Sequence, residues 1–196
     1  MRRPPEKCRK WPHFLSIAAV DGIYCKTAER CGKVNSIALT GRAITGEKAA
    51  LKQHDGQLWA VSTVYQRLPR EPEKTFQLHR KDQHQSWLRK VDGVVLARPY
   101  EHLPNAEILP AQEILDKFGG TVKPFTSSIA WMVGMAALQQ PDEIAIYGVR
   151  MEKAKEYGAQ RDGLFFVLGM CQAFGIRVQL NEALSANMKL YQIESR

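Results

Sequence analysis

No run of apolar residues approaches the roughly 20 that a membrane span needs. The basic N-terminus leads into Trp11, Pro12 and His13, where a secretory signal would place an apolar core. The expectation is a cytoplasmic protein without a membrane partner. Cysteine is scarce. Cys8, Cys25, Cys31 and Cys171 form no C-x-x-C pair, which argues for reduced thiols and against a disulfide framework. The first three, even with His13, lack the short ligand pairs of structural zinc, so no metal is expected. Neither a G-x-G-x-x-G fingerprint nor a P-loop is present. No Ser-His-Asp order, Cys-His pairing, internal repeat or low-complexity segment stands out.

Acids are the under-represented charge. The 196 residues hold 20 Asp and Glu against 28 Lys and Arg, a net +8. Much of the excess lies in residues 1–33, where eight cations face Glu6, Asp21 and Glu29 for a local +5. Such a segment contacts nucleic acid or another polyanion, or is a solvated tail without a partner. Pro4 and Pro5 among the charges read as a flexible arm, and Phe14 to Val34 as a helical pattern broken at Asp21-Gly22. Ala18, Gly22, Ile17, Ile23 and Ala28 loosely match a helix-turn-helix; a plain helical hairpin fits the same spacing.

The stretch Thr126 to Met151 is the centre around which the rest of the chain is organised. Thr126, Ser127 and Ser128 are N-cap residue types, and apolar residues recur at helical spacing from Ile129 to Leu138 until Pro141. Ile144 to Tyr147, closed by Gly148, then reads as a strand buried on both faces of a parallel sheet. The same alternation runs through the chain from Lys33. Val34–Thr40, Gln57–Ser62, Thr75–His79, Gly93–Ala97 and Ile176–Leu180 have strand character. Arg42–His54, Arg80–Lys90, Ala111–Phe118 and Leu164–Phe174 have helix character. Thr63–Glu73 and Arg150–Arg161 read as loops. The fold implied is an α/β, three-layer Rossmann-like sandwich with a mostly parallel sheet over residues 34–196, preceded by a basic helical arm, residues 1–33.

Open parallel sheets bind ligands beyond the carboxyl ends of their strands, and three candidates fall there. The turn Gly41-Arg42-Ala43 could bring backbone N–H groups and a guanidinium to a phosphate, or could simply need glycine. Ser127 and Ser128 offer hydroxyls and helix-start N–H groups to an anion, or serve only as caps. Arg150, Tyr157, Gln160 and Arg161, with Glu156, suit a phosphorylated ligand bearing a ring, or form an ordinary solvated loop. His79, at the end of its predicted strand, is the candidate general acid or base, with a structural role as the alternative.

The ordered segments I-A-L-T-G, L-W-A-V-S-T-V-Y-Q-R-L-P, T-F-Q-L-H, T-S-S-I-A-W-M-V-G-M-A, D-E-I-A-I-Y-G-V-R-M and E-Y-G-A-Q-R resemble a group of bacteriophage Rossmann-like proteins. Those are distantly similar to the motility accessory factor and hydroxymethylpterin pyrophosphokinase-like superfamily, and to bacterial sialyltransferases that use CMP-sugars. The resemblance covers residues 34 to about 180. It implies a nucleotide or nucleotide-sugar ligand and a glycosyltransferase-like activity. Its nucleotide-holding turn maps onto Gly41, Arg42 and Ala43, and its N-x-x-Y segment onto Ser62, Thr63 and Tyr65. Its helix and loop motifs map onto Ser127, Ser128, Glu156, Tyr157, Gln160 and Arg161. Arg150 stands where the family carries an acid.

Overall fold

The computed structural model describes residues 34–44, 47–80, 86–151 and 155–185, with the backbone alone at 155–157 and 183. The basic segment 1–33, with its expected arm and hairpin, lies outside these residues. The described chain builds a seven-stranded sheet in which every pairing is parallel. The strands are β1 Ser36–Thr40, β2 Gln57–Val61, β3 Lys74–Gln77, β4 Val94–Leu96, β5 Glu107–Ile108, β6 Glu143–Tyr147 and β7 Arg177–Gln179. Their order is β5-β4-β3-β2-β1-β6-β7. The chain therefore steps outward from β1 to β5, returns, and continues on the other side through β6 and β7.

That reversal dictates the layers. Parallel connections are right-handed, so those moving in one direction cover one face of the sheet and those moving the other way cover the opposite face. The helices are α1 Lys48–Gln53, α2 Ala111–Lys117, α3 Ser128–Leu138, α4 Lys155–Ala173 and the short α5 Glu182–Ser185. Ile37, Leu39, Trp59, Phe76, Ile144 and Ile146 point toward the core shared with α2, α3 and α4. Ala38, Leu58, Ala60, Ala145 and Tyr147 meet Ile44, Leu51 and Val64 on the other side. The fold is an α/β three-layer arrangement of Rossmann-like layout. Ile37, Ala38 and Leu39 are all fully buried, which is why the strand reads as a continuous apolar run without alternation. Each large side chain sequestered this way contributes about 1.5–3 kcal/mol, and Trp59 against Phe76, with ring centroids 5.4 Å apart, anchors the larger core.

Helix α3 sits between the sheet and two other helices. From Ile129 to Ala137 every residue but Trp131 is buried, so its sequence shows little polar face. It is capped by Ser127, whose Oγ accepts from the Ala130 N–H at 3.2 Å. Gln140 at φ 48° and Pro141 end it. A Cβ on Gly134 would meet Ile114 at 2.6 Å and Phe125 at 2.9 Å, so glycine sets the approach of α2 to α3. Cys171 is a free, buried thiol; burial pushes it up to about 12 against the opposing influence of Lys117, leaving it unreactive at neutral pH.

Several expected boundaries are corrected. The helix expected from Arg42 is only Lys48–Gln53, because the β1 exit first turns back against Gly148. Strand β2 stops at Val61, since Ser62 takes φ 52° and opens a 3₁₀ turn, Ser62–Arg67, in what read as a loop. Strand β3 ends at Gln77, leaving His79 two residues beyond it. Of the helix expected over Arg80–Lys90, the described part is a 3₁₀ turn at Ser86–Lys90. The stretch Arg150–Arg161 is not a loop throughout, as α4 begins at Lys155 and carries Tyr157, Gln160 and Arg161. The two-residue β5 and the short α5 left no recognisable pattern.

Candidate functional site

The point where the strand order reverses lies between β1 and β6, and in open α/β sheets that crevice is the default ligand position. Here the two strand exits touch. The Gly41 N–H donates to the Tyr147 carbonyl and the Ala43 N–H to the Gly148 carbonyl, both at 2.8 Å. A Cβ on Gly41 would lie 2.5 Å from the Gly148 oxygen, and one on Gly148, at φ +62°, would lie 2.7 Å from the Ile44 nitrogen. Glycine is required at both positions by this mutual approach. The N–H groups of Gly41 and Ala43 are thus engaged by protein carbonyls, and the side chains around them are what the edge presents to a ligand.

Arg42 is exposed beside this junction. Its carbonyl accepts from the Arg67 Nη2 at 2.7 Å, which brings the last residue of the 3₁₀ turn after β2 to the β1 exit. Arg67 was not singled out from sequence, because the turn that carries it was indistinguishable from a proline-bounded loop. Arg150 is exposed at the β6 exit. Thr63 lies half-buried on the 3₁₀ turn. On the other face, the β6 exit is tied to that of β7: Asn181, 7 % exposed, donates to the Val149 carbonyl at 3.0 Å and accepts from the Leu184 N–H. Its signal in sequence was only that of a capping residue type after a strand.

The start of α3 and the early turns of α4 are held together. Thr126 Oγ1 donates to the Ala159 carbonyl at 3.3 Å, and a Cβ on Gly163 would collide with the Pro124 carbonyl. Ser127 and Ser128 therefore adjoin the helical segment carrying Gln160 and Arg161. The Ser127 hydroxyl is committed to capping, and Ser128 is half-buried at the first helical position. Arg161 is partly exposed, with a loose 3.6 Å contact to its neighbour Asp162. Tyr157 falls in the first turn of α4, where only the backbone is described. His79 is exposed at the β3 exit. The order β3-β2-β1-β6 places two strands between that exit and β6, so the structure does not bring His79 to the junction.

Two further groups lie on the α1 side of the sheet. Burial, reinforced by Glu143 and Glu47, holds the Tyr147 hydroxyl above its ordinary range, so it stays protonated. The Glu47 Oε2 is buried with no hydrogen-bond partner among the described residues. A shallow cavity lined by Leu88, Val91, Asp92, His102 and Leu103 lies instead toward the start of β4, at the opposite edge of the sheet. Among the described residues no group of three or more His, Cys, Asp or Glu is placed to hold a metal ion, and no helix is long and apolar enough to cross a membrane.

No protein-family model, curated protein or solved structure matches the chain.

Proposed function

We propose that the protein binds a nucleotide or nucleotide-sugar across the β1 and β6 exits. The observation that carries this reading is the pair of exposed guanidinium groups, Arg42 and Arg150, on the two sides of the junction, with Arg67 docked on the Arg42 backbone. Among the described residues no carboxylate lies within ion-pair distance of any of the three. Guanidinium groups pair with phosphate in a bidentate geometry. Gln160, Arg161 and Tyr157 lie on the helix that flanks the α3 start.

Glycosyl transfer, which the family resemblance implies, stays within this proposal as the reaction to assay once a ligand is found. His79, as its acid or base, would have to be reached by a ligand extending from the junction toward β3. The rival reading is a non-catalytic protein whose residues 1–33 contact nucleic acid through their local charge of +5.

A thermal-shift screen of the full chain against nucleoside mono-, di- and triphosphates and CMP- and UDP-sugars tests the binding. A site-specific ligand at 100 times its Kd stabilises by about 2.7 kcal/mol, a clear rise in Tm. The expected result is a saturable rise that disappears in Arg42→Ala combined with Arg150→Ala. A flat screen overturns the proposal.

A further inference from the structure

Each of five adjacent strands is followed by an arginine at its carboxyl end. In spatial order these are Arg98 after β4, Arg80 after β3, Arg67 after β2, Arg42 after β1 and Arg150 after β6. All five are exposed. Between each strand end and its arginine there is no Asp or Glu, and among the described residues no carboxylate pairs with any of them. Two make one hydrogen bond each: Arg67 to the Arg42 carbonyl, and Arg98, through Nε, to the Tyr100 hydroxyl at 2.9 Å. A guanidinium has five N–H donors, so both keep most of theirs.

Strands in a sheet are spaced by about 4.8 Å, so four gaps make a row about 19 Å long. That is longer than the phosphate chain of one nucleotide. Two half-buried aromatic rings accompany it, each packed on one side by the protein: Tyr65 on the 3₁₀ turn after β2, its ring 5.1 Å from that of Trp87, and Tyr100, which meets His102 and lies under Arg98 at 5.4 Å from the ring centroid. A line of cations with interspersed aromatic faces is the arrangement that holds a single strand, the cations tracking the backbone and the rings stacking bases.

We infer that the carboxyl edge of the sheet is a track for single-stranded nucleic acid, running from the β4 exit to the β6 exit. This deepens the proposed function. It rests on the same edge facing the ligand, and it names a polynucleotide chain where that reading places one nucleotide. It also separates polynucleotide binding from residues 1–33, since the edge residues act whatever that segment does.

The test is fluorescence anisotropy with a labelled oligothymidylate of roughly 12 nucleotides, using the full chain, with CMP and UMP titrated in parallel. Binding should weaken with salt, and the combined variant Arg80→Ala with Arg98→Ala should flatten the log–log salt slope by about 1.4, or about 0.7 for each phosphate no longer neutralised. These two residues lie at the end of the row farther from the junction, so the variant leaves Arg42 and Arg150 in place. Tyr65→Ala should weaken binding at least about fivefold at fixed salt. Circular dichroism and Tm of the arginine variant should match the parent, because both residues are exposed; Tyr65 also packs on Trp87, so its variant is compared below its own Tm, with circular dichroism matching the parent.

An unchanged slope in the arginine variant would show that any binding belongs elsewhere, residues 1–33 included, and would overturn the track. So would polyglutamate displacing the oligonucleotide as well as unlabelled oligothymidylate does, since that marks an acidic polypeptide site. Oligonucleotide binding without mononucleotide binding supports the track and overturns the free-nucleotide reading. Mononucleotide binding without oligonucleotide binding supports the free-nucleotide reading and overturns the track.

Discussion

The two edges of the sheet treat charge differently: one sets acids beside cations, the other gathers arginines. Where strands begin, acids recur: Asp55 precedes β2, Glu73 precedes β3, Asp92 precedes β4, Glu107 opens β5, Asp142 precedes β6 and Glu143 opens it. Glu73 meets Arg70 at 2.7 Å, Glu143 meets Arg177 at 2.5 Å, and Glu107 pairs with Lys74. Where strands end, five exposed arginines stand without carboxylate partners among the described residues. Exposed ion pairs contribute only about 0–1 kcal/mol each, so the contrast matters little for stability. It matters for what approaches: an edge whose charges are partly satisfied internally attracts little, whereas a line of unpaired cations raises the local concentration of anions.

The contrast can be broken at three levels. The largest effect is expected at the backbone junction that fixes the arginine-bearing exits. Gly148→Ala forces a Cβ onto the Ile44 nitrogen and the Gly41 oxygen at a positive φ, and should cost about 3 kcal/mol in urea unfolding. A loss under about 0.5 kcal/mol would mean the exits are not locked together as described.

On the amino edge, Glu73→Gln should cost about 1.5 kcal/mol at neutral pH, because a charged acceptor is lost from the Leu58 N–H, 2.5 Å away, and from Arg70. Burial alone would raise the Glu73 pKa, but the Leu58 N–H and Arg70 outweigh it and hold the carboxyl below its ordinary value. A depressed folded pKa means that the contribution is present above the unfolded value, near 4.5, and is lost as pH falls through the folded one. The gap between parent and variant should therefore close below about pH 4.5. A gap that persists in acid would assign the effect to packing.

The smallest stability effect is expected on the carboxyl edge. Arg42→Ala or Arg150→Ala should change unfolding free energy by less than about 0.5 kcal/mol, with the sign toward stabilisation, since each relieves repulsion among exposed like charges. A larger loss would show these arginines to be structural and would undo the comparison.

Much of this fold is legible in sequence because a sheet buried on both faces writes continuous apolar runs, as in Ile37-Ala38-Leu39 and Ile144-Ala145-Ile146. Helix α3 is equally plain, with Ser127 before it and Pro141 after it. What escaped was short or depended on distant partners. The two residues of β5 carry no periodicity, and the turn at Ser62 arises from a positive φ that serine does not announce. Gly41 read either as a phosphate turn or as a turn that needs glycine, and its partner Gly148, over 100 positions away, appears only on folding. The edge polarity was invisible for the same reason. The five arginines are scattered from position 42 to 150 and become a row only when the strand order is known.

Hydrogen-exchange mass spectrometry on the full chain, with and without saturating oligothymidylate and CMP, tests the central claim most directly. If the carboxyl edge faces the ligand, protection should appear in peptides covering 41–44, 62–67 and 148–151, while those covering 54–57, 91–93 and 141–143 remain unchanged. Protection confined to the amino-edge peptides or to residues 1–33 would contradict it.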